Sequence, residues 1–140
     1  MPTRIASAVW TGGLKGGSGT FEGETGIGGA YTFASRFEQA KGTNPEELLA
    51  AAEASCFSMA LSGALEKNGT TPTRIVSSAA CTVEKVADRM TVATIVLTVK
   101  ATVPGIDNDT FQRIANETKE GCPVSRALKA VAISLKAELV

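Results

Sequence analysis

Apolar and polar positions alternate most clearly between Thr91 and Val103. Ile95, Leu97, Val99, Ala101 and Val103 share one face, and Thr94, Thr98, Lys100 and Thr102 share the other, the period of two that marks a half-buried strand. Thr73 to Lys85 is its hairpin partner, with Ala87-Asp88-Arg89 as the turn. Upstream, residues 1–40 predict a meander of three strands, Ile5 to Trp10, Gly19 to Thr25 and Tyr31 to Phe37, separated by glycine-rich turns. The second is short and is expected near an edge. From Asn44 to about Lys67 the pattern becomes helical: Asn44 is a good N-cap, Pro45 suits the first position, Glu47 stands where a capping-box carboxylate reaches back, and Asn68-Gly69 supplies the end. Asp107 to Glu120 predicts another helix, stopped by Gly121. Pro123 opens a short helix to about Leu128, and Val131 to Leu139 reads as a last strand.

This order predicts an α+β fold with a largely antiparallel sheet, a long central helix and a C-terminal helix pair, rather than βαβ repeats. The long helix is apolar or small on nearly every side, so it is expected to be covered on more than one face. A single domain spanning 1–140 has little material for the second cover, which points to a homodimer.

Fourteen basic residues balance fourteen acidic ones, leaving no electrostatic footprint for nucleic acid or an anionic membrane. The N-terminus lacks a continuous apolar stretch of signal-peptide length. No apolar run reaches the roughly twenty residues of a membrane span, so the chain reads as soluble and cytoplasmic. The glycine-rich segment 12–19 lacks the spacing of a phosphate loop and is read as hairpin turns.

The chain contains no histidine. Ser-His-Asp hydrolysis, Cys-His proteolysis and histidine-ligated zinc are therefore excluded, and sulfur chemistry must rely on arginine, lysine, backbone dipoles or a partner thiol. Three cysteines, at 56, 81 and 122, form no close C-x-x-C pair, which leaves a zinc site a poor reading. Cys81 reads as structural. Cys56 lies roughly 18 Å of helical rise beyond Asn44, out of range of the helix dipole, and among alanines it has an ordinary reading as a small apolar filler. Cys122, just before Pro123 at a helix start, is the better thiolate on local physics alone. Arg36, Arg113 and Arg126 are the candidate cations. Glu46 stands about 15 Å from Cys56 along the helix, so it cannot touch that sulfur within one chain, although it could approach the sulfur of a second copy. Glu53, one turn before Cys56, would raise that thiol's pKa unless itself paired.

Arg36-Phe-Glu, Gly42-Thr-Asn-Pro-Glu-Glu-Leu48, Ala54-Ser-Cys-Phe-Ser-Met-Ala-Leu61, Val103-Pro-Gly-Ile106 and Gly121-Cys-Pro-Val-Ser125 together resemble the OsmC/Ohr family, specifically its osmotically inducible OsmC branch. The resemblance covers essentially the whole chain. It implies an intertwined α+β homodimer and a thiol-dependent peroxidase that reduces organic hydroperoxides, and hydrogen peroxide less well. By motif, Cys56 matches the peroxidatic cysteine, Cys122 the resolving cysteine, Arg36 the activating arginine and Glu46 its orienting carboxylate. This reverses the ranking of the two sulfurs by dipole alone. Family members often carry His or Tyr where this chain has Glu53.

The resemblance further implies a Cys56 sulfenic acid, a Cys56–Cys122 disulfide, and a dithiol reductant of lipoyl type, with no metal, flavin or haem cofactor. Phe37, Phe57 and Met59 are candidates for an apolar substrate-binding wall. The alternative is a dimeric small-molecule-binding stress protein whose cysteines are structural.

Overall fold

The structure, a computed structural model, describes residues 1–140. It divides into two compact units, Met1–Glu47 and Leu48–Val140.

In the first unit, strands β1 (Ala6–Thr11), β2 (Ser18–Gly23) and β3 (Gly28–Tyr31) form an antiparallel meander in chain order. The second strand therefore lies between its neighbours and not at an edge. Gly19 pairs with Trp10 on one side and Tyr31 on the other, and their ring centroids are 5.4 Å apart. A Cβ on Gly19 would come within 2.7 Å of Tyr31 and 2.8 Å of Trp10, so only glycine lets the rings approach.

The expected strand from Tyr31 to Phe37 is corrected: β3 stops at Tyr31, and α1 (Phe33–Phe37) follows. The reason is a capping box. Thr32 Oγ1 accepts from the Ser35 N–H at 3.1 Å while Ser35 Oγ accepts from the Thr32 N–H at 2.9 Å. The alternating aromatics of this stretch suggested a strand, but Thr-x-x-Ser satisfies two backbone donors locally and starts a helical turn instead. The Thr43 N–H and Oγ1 then both donate to the Ala30 carbonyl, at 2.9 and 2.7 Å, and Ser35 Oγ donates to the Thr43 carbonyl at 2.9 Å. Gly42, at φ +139°, permits the turn that makes these bonds.

Helix α2 (Pro45–Lys67) has its first turn in the first unit and the remainder in the second. Asn44 Oδ1 accepts from the Glu47 N–H at 2.8 Å, as the cap reading requires, and Glu47 engages here through its backbone. At the other end the Thr70 N–H returns to the Leu65 carbonyl at 3.0 Å, with Gly69 between at φ +81°.

The second unit holds β4 (Arg74–Val86), β5 (Arg89–Thr102), α3 (Asn108–Gly121), α4 (Pro123–Ala127) and β6 (Ala132–Leu139). Strand β5 is central: β4 pairs with it antiparallel, with a bulge between Thr82 and Val83, and β6 pairs with it in parallel. The α+β fold with long helix, short C-terminal helices and mostly antiparallel pairing is thus as the sequence predicts. Leu97, Val99, Ala101 and Val103 meet Phe57, Leu61 and Leu65 of α2 and Phe111, Ile114 and Ala115 of α3 in one core. Each fully buried Phe or Leu there contributes about 2 kcal/mol.

Helix α2 buries one face within the chain, with Glu53, Phe57, Leu61 and Leu65 at successive i+4 positions, while Met59 is 77% exposed. One sequence expectation is overturned: by length and composition this helix is apolar enough to cross a membrane. Its alanines and small polar residues disguise the run. The inward face is committed to the core of the second unit and includes the fully buried Glu53.

Candidate functional site

The second unit brings two sulfurs together. Cys122 Sγ donates to Cys56 Sγ at 2.9 Å across 66 residues of sequence, and neither is in a disulfide. Bonded sulfurs sit about 2.05 Å apart, so closure needs an approach of only about 0.9 Å. The local chain builds this contact. Cys122 ends α3, its N–H donating to the Thr118 carbonyl at 2.9 Å, and it is also the residue before Pro123 at the first position of α4. Its φ of −57° and ψ of 132° turn the chain between the helices. Its side chain makes no cap bond, which leaves the sulfur for Cys56.

Burial pushes the Cys56 thiol up, and so do the hydrogen bond from Cys122 and the charges of Cys122 and Glu53; the Val124 N–H pulls it down. The net direction is upward. The backbone donor at the start of α4 thus serves Cys56, whereas dipole reasoning from sequence assigned that benefit to Cys122. None of these influences comes from a cation, so the groups of this unit alone favour the neutral thiol.

Glu53 is fully buried beside this pair. Ser125 Oγ donates to its Oε1, and Oε2 is buried with no partner. Sequence reasoning flagged Glu53 for its charge and missed Ser125. The available signal was spacing, because Ser125 lies three residues after Cys122 and so shares its face of the α4 turn.

In the first unit Arg36 and Glu46 of the same chain form an ion pair. Arg36 Nε lies 3.1 and 3.3 Å from the two Glu46 oxygens and Nη2 lies 2.9 Å from Oε1. Glu46 is buried, so its carboxylate holds the guanidinium in one orientation. The Arg36 guanidinium carbon stands 4.9 Å from the centre of the Phe37 ring, which in turn lies 5.1 Å from that of Phe33. A cavity of about 270 Å³ is lined by Trp10, Leu14, Tyr31, Phe33, Arg36 and Phe37. Aromatic walls with one guanidinium suit a small apolar molecule carrying a polar end.

The remaining candidates separate. Phe57, expected on a substrate wall, is corrected to a core residue with no exposed surface. Its place in the inward series of α2 explains this. Met59 lies exposed on the other side of the helix. Arg113 is engaged by Glu117 one turn on, at 3.1 Å, and Arg126 lines a small cavity of about 140 Å³ beside Ser125. Cys81 lies within β4, opposite Ile95. No three Cys, Asp or Glu side chains come together as a metal site.

The model of the OsmC family, described as "OsmC-like protein", matches residues 38–136. The chain belongs to the OsmC family. It is 48% identical over 125 residues to Peroxiredoxin OsmC of Escherichia coli (strain K12), a match that covers 88% of this chain and 87% of that protein. Peroxiredoxin OsmC of Shigella flexneri matches with the same figures. Among solved structures, an organic hydroperoxide resistance protein OsmC from Legionella pneumophila is similar with a TM-score of 0.75 at 20% identity, over 99% of this chain and 98% of that one. The organic hydroperoxide resistance protein OhrB of Bacillus subtilis gives 0.68 at 23% identity, over 97% and 98%. These two share the OsmC fold of the chain.

Proposed function

We propose that the chain is a thiol peroxidase that reduces organic hydroperoxides, and hydrogen peroxide less well, with Cys56 as the peroxidatic and Cys122 as the resolving cysteine. The observation that carries this reading is the 2.9 Å contact between the two sulfurs. The peroxiredoxin name of the 48% identical relatives supports the class of reaction.

The Cys56 thiolate attacks the distal peroxide oxygen, the O–O bond breaks, and the alkoxide leaves with a proton as an alcohol. Cys56 keeps the other oxygen as a sulfenic acid. Cys122 then attacks that sulfur and releases water as the disulfide forms. A lipoyl-type dithiol in the cytoplasm reopens it by thiol–disulfide exchange. The first step needs a thiolate, and the surroundings of Cys56 in its own unit push the other way. Arg36, oriented by Glu46, supplies the missing positive charge to thiolate and developing oxyanion. Phe37 and Met59 contribute to the apolar wall for the organic group, and the protein works as a homodimer.

Cumene hydroperoxide is the test. Rapid stoichiometric consumption with loss of two thiols per chain is expected. Cys56→Ser should abolish it, and Cys122→Ser should consume one equivalent with loss of one thiol instead of two, its sulfenic acid trapped by dimedone. Unchanged thiols under excess peroxide would instead identify a binding protein with inert cysteines.

A further inference from the structure

The inward face of α2 runs Glu53, Phe57, Leu61, Leu65, and its first member breaks the apolar series. A fully buried carboxyl with one oxygen unpartnered is costly where a hydrocarbon side chain would pack. Its one bond is to Ser125. Glu53 precedes Cys56 by three residues on α2, and Ser125 follows Cys122 by three at α4, so each oxygen-bearing side chain stacks one turn from a sulfur. The two segments therefore meet in two rungs, sulfur on sulfur and hydroxyl on carboxylate.

We propose that the Glu53–Ser125 hydrogen bond is a clasp that registers the segment carrying Cys122 on the helix carrying Cys56, and that it sets how readily the Cys56–Cys122 disulfide closes. The inference rests on the proposed function in one respect, that these two sulfurs form a disulfide. Helix α4 has five residues and no stability of its own, so its place depends on such attachments. When Cys56 takes up an oxygen atom, the thiol hydrogen bond between the sulfurs is lost. The clasp, which involves no sulfur, then keeps Cys122 within reach until water leaves. Glu53 and Ser125 are positioning residues in this account.

Closure is measured in glutathione buffers, without peroxide. Oxidised glutathione takes two electrons from the two thiols and leaves as two reduced glutathiones, their protons coming from Cys56 and Cys122. The Cys56–Cys122 peptide is quantified by mass spectrometry. Ser125→Ala should lower the closure constant about tenfold, the weight of a hydrogen bond to a charged group, and Ser125→Thr should restore most of it. Glu53→Gln keeps an oxygen for Ser125, so closure should stay within about threefold of the unsubstituted chain. The same variant should speed Cys56 alkylation by iodoacetamide, because a charge that holds the thiol protonated is gone. A packing role alone would lower the melting temperature of Ser125→Ala and leave closure unchanged. That result overturns the clasp and leaves the sulfur pair standing. Absence of the Cys56–Cys122 disulfide in the unsubstituted chain at every glutathione ratio overturns clasp and proposed reaction together.

Discussion

Arg36 gives Nε and Nη2 to Glu46, which leaves Nη1 for a second acceptor. A lysine at this position would keep the charge but lose the fork that Glu46 grips. Arg36→Lys is therefore expected to slow cumene hydroperoxide reduction by about tenfold, and Arg36→Ala by more, with both variants showing slower Cys56 alkylation at pH 7. Unaltered alkylation and peroxide rates in Arg36→Ala would remove arginine from the mechanism. Both residues of this pair were visible in the sequence as members of motifs. The resemblance also implied their pairing; that it forms within one chain was not legible, because the Ser35 and Thr43 bonds that fold the chain back and bring Arg36 to Glu46 carry no spacing signal in the sequence. Phe57 shows the same limit from the other side. A helix apolar all round does not declare which face is buried, and only packing tells Phe57 from Met59. Phe57→Ala should cost about 3–5 kcal/mol in urea unfolding, and Met59→Ala well under 1 kcal/mol for the isolated chain.

Elements with strong local signals were legible. Strand β5 was readable from its period, α2 from its cap at Asn44, and α3 from Asp107, whose carboxylate accepts from the Thr110 N–H and hydroxyl at 2.8 and 2.7 Å. Helix α1 was not, since five residues are too few to show a period. The Thr110 bonds hold the Asp107 carboxyl below its usual range. The folded pKa being depressed, this stabilisation is present above the unfolded-state pKa and is lost as pH falls through the folded one. Asp107→Asn should thus narrow the difference in thermal stability between pH 7 and pH 3. The hairpin turn offers a gain instead. Ala87 and Asp88 both hold positive φ, 48° and 65°, in the two-residue turn between β4 and β5. Asn tolerates that region better than Ala, so Ala87→Asn should raise stability by about 0.5–1 kcal/mol in urea unfolding.

At the scale of the whole molecule, the sequence reading asked for a second cover on α2, and within the chain that face is open, with Met59 among the exposed residues. If a second copy covers it, the protein should sediment as a dimer, and Met59→Asp should shift it toward monomer and reduce the peroxide rate. A monomeric parent with full activity would exclude the dimer as a requirement. Strand β6 bears on a different matter, the order of events in folding. It follows α3 and α4 in the chain, yet it pairs in parallel with β5 across them, and Gln112 Nε2 of α3 donates to the Ala137 carbonyl of β6 at 2.7 Å. Such a non-local pairing forms late. Until β6 docks, the helix that ends at Cys122 is without the carbonyl that Gln112 grips, so the closing of the sheet on its third strand also tethers the element that presents the second sulfur.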